Sequence, residues 1–100
     1  MLQSRAGDAV LLLKALAHPS RLMLLCLMIE RERAVGELVG VLGLPQANVS
    51  QQLAKLRQEG LVGRRRDGRA TYYRVCDPGT RRVLEVLCDI YCAEAKQPGG

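Results

Sequence analysis

One hundred residues make one domain with a single modest core, and 48% apolar residues with three aromatics, all Tyr, describe a helical chain built on Leu, Val and Ala. A net charge of +5 and a pI near 9.4 favour an anionic partner, nucleic acid first. No segment reaches bilayer length, and the apolar run Ala9 to Leu13 is cut by Lys14 with no small-residue cleavage site after it, so neither a membrane partner nor a secretory signal is expected and a cytoplasmic protein is.

In chain order, Met1 to Gly7 reads as a disordered tail, and Asp8 as the cap of a first helix ending at Ala17. Val10, Leu11, Leu13 and Leu16 leave that helix apolar on most sides, which predicts a partner subunit. His18-Pro19-Ser20 is a boundary, because proline disfavours helix at the residue before it and suits the first turn of the next. The second helix, Ser20 to about Arg31, is apolar all round from Leu22 to Ile29 and is the expected core helix. Glu30 to Arg33 reads as a charged turn.

From Ala34 to Gly60 the spacing predicts two short helices and a tight turn. Val35, Leu38, Val39 and Leu42 recur at helical spacing before Gly43-Leu44-Pro45 breaks the pattern. Val49, Leu53 and Leu56 form the stripe of the next helix, and Gly60 stands at its C-terminal end. The opposite face carries Ala47, Asn48, Gln51, Ala54, Lys55 and Gln58, polar yet nearly free of acid. An ordinary helical hairpin would fit the periodicity, but amides and a lysine are what base edges and phosphates need. The stretch is therefore read as a helix-turn-helix, with Asn48, Gln51, Gln52 and Lys55 toward bases and Gln46 and Ser50 near phosphates at the helix N-terminus.

After Gly60 the period changes to that of a strand. Leu61 to Arg66, then Asp67-Gly68, then Arg69 to Val75 reads as a two-stranded hairpin with an Asp-Gly turn. Arg64, Arg65, Arg66 and Arg69 crowd its tip. Beside a recognition helix they suit a wing on the phosphate backbone or minor groove, and Arg65→Ala is expected to weaken binding to all sequences and flatten its salt dependence. Charge is concentrated here, with nine Lys or Arg against three acids between Lys55 and Arg82. Asp77-Pro78 opens a last helix to about Ala95, whose Val83, Leu84, Leu87, Ile90 and Tyr91 form a second dimer face, and 96–100 is a frayed tail. Residues 1–100 thus form a single domain. A Ser/His/acid set, a phosphate-cradling glycine loop and a paired-acid cleft are all missing from the sequence, so neither an enzyme nor a cofactor is expected.

Helix, helix, helix-turn-helix, arginine-tipped hairpin, helix is a winged-helix order, mainly α with a small β-hairpin. The segments LKALAHPSRLMLLCLM, VGELVGVLGLPQANVSQQLAKLRQEGLV and RRDGRATYYRV resemble the ArsR/SmtB family of small dimeric bacterial repressors over roughly residues 8–93. The resemblance implies a homodimer through the first and last helices, with two recognition helices reading an inverted-repeat operator in double-stranded DNA. Family members often have His where Gln52 stands, which implies a different base preference here.

Four cysteines without an export signal suggest reduced thiols that pack, bind metal or sense redox. The Cys-x-Cys of the family's arsenic and cadmium sensors is missing from Val35 to Val39, and with one histidine, His18, the zinc site of the last helix is not available either. RLMLLCLM and the terminal IYC are instead similar to the reactive-sulfur-sensing BigR/SqrR/HlyU/YgaV subgroup. That likeness implies that reactive sulfur species act as inducer by joining Cys26 to Cys92 through a disulfide or polysulfide, lowering DNA affinity. Cys88 departs from the subgroup. It stands one helical turn before Cys92, where Cβ atoms about 5–6 Å apart are too distant for a relaxed disulfide but could share a soft metal or As(III), with Cys76 as a third ligand or a bystander. A sulfur or redox sensor on Cys26 and Cys92, a metalloid sensor on Cys88, Cys92 and Cys76, and a DNA-binding protein with purely structural cysteines all stay open.

Overall fold

The computed structural model describes the backbone of residues 2–92 and the side chains of residues 5–91. The element order is α1 (Leu2–Leu16), α2 (Pro19–Glu30), β1 (Arg33–Ala34), α3 (Val35–Leu42), α4 (Gln46–Gln58), β2 (Val62–Asp67), β3 (Ala70–Val75) and α5 (Pro78–Leu87), with a five-residue π-helical turn, Cys88–Cys92, continuing α5. This is the winged helix-turn-helix expected from the sequence. The last-helix end near Ala95 and the tail at 96–100 lie outside the described residues.

Four local expectations are corrected. The first helix begins at Leu2, so Asp8 lies inside it and does not cap it. Nothing from Leu2 to Ala6 breaks a helix, and Gly7 costs only about 1 kcal/mol there. The second helix opens on Pro19 with His18 extended at φ −123°, ψ 122°, and closes at Glu30. Arg33 leaves the expected charged turn, and Ala34 the expected start of the helix-turn-helix, to become a short strand opposite Tyr73 and Tyr72, giving an antiparallel sheet in the order β1-β3-β2. The hairpin turn is Gly68-Arg69, since Asp67 pairs with Ala70. Gly68 has φ +63° while no other residue type has positive φ, which is the type II′ pattern. An Asp67-Gly68 turn would have set Arg66 opposite Arg69, a like-charge pair. The observed register pairs Val62 with Val75, both buried.

Leu24, Leu25 and Met28 of α2, Leu38 of α3, Val49, Leu53 and Leu56 of α4, and Leu84 of α5 are fully buried and make one core. Burying each such side chain stabilises by about 1.5–3 kcal/mol. Two glycines make the helix ends that aim α4. Gly43, at φ +68°, closes α3 with its N–H on the Val39 carbonyl. Gly60, at φ +80°, completes a Schellman pair, Gly60 N–H to Arg57 O and Leu61 N–H to Leu56 O, both 3.0 Å. The C-terminal carbonyls of α2 are taken by two arginines from elsewhere. Arg33 Nε donates to Leu27 O and Arg81 Nη1 to Ile29 O, each at 2.9 Å, fixing β1 and α5 to the core helix. Among the described residues no single helix is long and apolar enough to cross a membrane, and the apolar pair α1 and α2 is bent by 99°.

Candidate nucleic-acid interface and cysteine site

The stripe Val49, Leu53 and Leu56 anchors α4 to the core, so the other face of the helix is held outward. Gln46, Asn48, Ser50, Gln51 and Lys55 are exposed on it, and Gln52 is half-buried. Gln52 is the least available of these. Its Nε2 donates to Asn48 Oδ1, and its Oε1 accepts from Ser20 Oγ at 3.2 Å. A chain of hydrogen bonds therefore runs from the first turn of α2 to Asn48. It leaves the Asn48 amide nitrogen to donate outward, while Oδ1 keeps a second lone pair. The first turn of α4 carries no acid, so its backbone N–H groups favour an anion. A cleft of about 240 Å³ lined by His18, Ser20, Arg21, Leu44, Asn48, Gln51 and Gln52 lies beside it.

The four wing arginines do not behave alike. Arg64, Arg66 and Arg69 are exposed and form no ion pair within the described residues. Arg65 is exposed as well but has partners within the chain: Nε and Nη2 each lie 2.8 Å from a Glu32 oxygen, and the guanidinium sits 5.0 Å above the Tyr72 ring. That bidentate hydrogen bond holds the Glu32 carboxyl below its ordinary range and pushes Arg65 up. Arg65 thus ties the wing to the turn ahead of β1. Glu37 plays a similar part at the start of α3. It takes Arg31 Nη2 at 2.6 Å and the Ala34 N–H at 3.2 Å, which together lower its pKa. Sequence reasoning missed Ser20, Glu32, Arg33 and Arg81. A cation just past a helix end was a usable signal for Arg33, whereas the partners of the other three come from distant sequence.

Cys26 and Cys88 meet at the seam between α2 and the end of α5. Both are half-buried, and their Sγ atoms are 3.1 Å apart. Cys88 is the residue where α5 passes into the π turn that ends at Cys92. The Cys92 side chain, half of the expected sensing pair, lies outside the described residues. Cys76 is exposed at the base of the wing, with its sulfur 3.8 Å from the Gly60 carbonyl. Among the described residues no group of three or more His, Cys, Asp or Glu is arranged to hold a metal ion.

An outward amide face on a core-anchored helix, preceded by a glycine-closed turn and flanked by an arginine hairpin, defines a winged helix-turn-helix DNA-binding regulator of transcription. The family follows from comparison with known proteins. The chain belongs to the ArsR family, whose sequence model, "Bacterial regulatory protein, arsR family", matches residues 18–63. It is 42% identical over 92 residues to a biofilm growth-associated repressor of Agrobacterium fabrum, covering 92% of this chain and 79% of the relative. Among solved structures it is similar to the transcriptional repressor BigR from Xylella fastidiosa, with TM-score 0.87, 41% identity and coverage of 96% and 95% of the two chains. It is also similar to reduced HlyU from Vibrio cholerae, with TM-score 0.87, 37% identity and coverage of 91% and 96%.

Proposed function

We propose that this protein is a repressor that binds an inverted-repeat operator as a homodimer and releases it when reactive sulfur species link Cys26 to Cys92 through a disulfide or polysulfide bridge. The observation that carries this reading is the contact of Cys26 with Cys88. It brings Cys88, the first residue of the five-residue turn that ends at Cys92, against α2. Similarity to BigR, a repressor, and to an HlyU structure described as reduced supports the same reading.

The dimer accounts for apolar side chains that a monomer leaves in water. Val10, Leu11 and Leu13 on α1, with Val86, Ile90 and Tyr91 toward the chain's end, are 47–71% exposed, and a two-fold partner would cover them. Two copies of α4 then enter successive major grooves. Asn48, Gln51, Gln52 and Lys55 face bases, with Gln52 acting chiefly through Asn48. Gln46, Ser50 and the arginines 64, 66 and 69 take phosphates, and Arg65 fixes the wing they ride on.

The thiol chemistry is two nucleophilic steps. A Cys thiolate attacks the outer sulfur of a persulfide RSSH and displaces RSH, and the second thiol attacks the Cys sulfur of the resulting protein persulfide, releasing hydrogen sulfide and closing a disulfide. A bridge that keeps the sulfur takes a second persulfide molecule as oxidant. Because α2 carries both Cys26 and Ser20, about 9 Å apart along its axis at 1.5 Å per residue, a bridge to the dimer helix acts on the element that supports Gln52 and Asn48. A shift of about 1–3 kcal/mol between two dimer arrangements lowers affinity about 5- to 150-fold.

The test is anaerobic treatment with a persulfide donor, peptide mass mapping, and binding to an operator selected from random duplexes. A sulfur-retaining or two-proton-loss link between Cys26 and Cys92, accompanied by lost affinity, is expected. Release by As(III) or Cd(II) with no response to persulfide would replace the sulfur reading with a metalloid one. No response to either would leave the DNA-binding function alone.

A further inference from the structure

Cys88 takes no part in the mechanism proposed above, yet its sulfur lies 3.1 Å from that of Cys26. We infer that Cys88 is a resolving thiol, which converts a persulfide on Cys26 into a direct Cys26–Cys88 disulfide. The inference rests on the thiol-sensing reading and gives the sensor a second bridge, shorter than any polysulfide to Cys92.

The 3.1 Å separation exceeds the S–S bond of about 2.05 Å by about 1 Å. Little movement is needed, and the place where it occurs is suited to it. Cys88 still has α-helical dihedrals, φ −65° and ψ −38°, but it is the residue at which the ladder changes to a π turn. Such turns are rare, wider than an α-turn and common at functional sites. Both residues are half-buried rather than fully enclosed.

The chemistry balances with the persulfide, a low-molecular-weight R–S–SH, as the oxidant. The Cys26 thiolate attacks the outer sulfur, the S–S bond of the persulfide breaks, and RS⁻ leaves and is protonated to RSH, giving Cys26–S–SH. The Cys88 thiol then loses its proton and attacks Cys26 Sγ. The Cys26–sulfane bond breaks, hydrosulfide leaves and takes up the proton, and the Cys26–Cys88 disulfide forms. Two protein thiols are oxidised by two electrons, and one sulfane sulfur is reduced to hydrogen sulfide. Cys76 meets a carbonyl where Cys26 and Cys88 meet each other, so it serves as an internal control.

The test treats the full chain, wild type and the variants Cys88→Ser and Cys92→Ser, with glutathione persulfide without oxygen. Linked peptides, released hydrogen sulfide and operator binding are measured together, and operator binding before treatment verifies that each variant is folded. Wild type and Cys92→Ser should both yield a Cys26–Cys88 link at two protons below the reduced mass, with about one hydrogen sulfide molecule per link. Cys88→Ser should yield none and leave Cys26 persulfidated or joined to Cys92. A wild-type chain that releases its operator with only Cys26–Cys92 links would overturn the role of Cys88 and leave the sensing reading intact. A Cys26–Cys88 link with undiminished operator binding would support the resolving chemistry and overturn the sensing reading. Neither link nor release would overturn both.

Discussion

The proposed recognition helix, α4, and the wing both hold polar groups outward, and they do so in opposite ways. On α4, three fully buried side chains fix the helix, and a hydrogen-bond chain from Ser20 through Gln52 orients Asn48 before any ligand arrives. On the hairpin, one arginine is spent on Glu32 and Tyr72, and the other three extend into water. Pre-oriented amides favour discrimination between bases, and solvated guanidinium groups favour affinity for any phosphate backbone. Specificity and salt dependence should therefore separate along the boundary between the two elements.

Removing the anchor of the helix should have the largest effect. Leu53→Ala at a fully buried position should cost about 2–5 kcal/mol in urea unfolding and abolish discrimination with it. Asn48→Ala should lose about 1–3 kcal/mol at one operator position while the slope of log affinity against log salt stays unchanged, which competition between single-base operator variants will read. Arg64→Ala and Arg66→Ala should do the reverse, lowering the salt slope by about one each and weakening all duplexes alike. Arg65→Ala should weaken binding with a smaller change of slope than Arg64→Ala, because its charge is already matched by Glu32. Equal slopes would instead put Arg65 on the phosphates.

The smallest effect is on stability and concerns neither surface. Asp77 accepts the Thr80 hydroxyl at 2.6 Å and the Thr80 N–H at 2.9 Å, capping α5, and both bonds lower its pKa from the ordinary 3.8. A carboxyl depressed on folding contributes stability that is complete above its unfolded value and is lost as pH falls through the folded one. Asp77→Ala should therefore cost about 1 kcal/mol near neutral pH. That difference should shrink in thermal melts as pH falls below the ordinary carboxylate value of 3.8 if the carboxylate is its origin.

How far the sequence could be read depended on the range of each signal. The helix-turn-helix was legible because its apolar positions recur every three or four residues and its two glycines stand where left-handed caps must be. The hairpin was legible as a hairpin, but its turn lay one residue later than the favoured Asp-Gly pair. There the pairing of Val62 with Val75 and the avoidance of Arg66 opposite Arg69 outweighed local turn preference. β1 spans two residues and had no period to show. The contact of Cys26 with Cys88 joins residues 62 apart through a π turn that helical spacing does not announce. Resemblance singled out Cys26 and Cys92 as the reacting thiols and gave Cys88 no part in sulfur sensing.

The most direct measurement of the account is operator anisotropy for wild type and Cys26→Ser, each reduced and then treated with glutathione persulfide. Both proteins should bind equally when reduced, wild type should lose at least about fivefold in affinity on treatment, and Cys26→Ser should be indifferent. An equal loss in both proteins, or none in wild type, would contradict it.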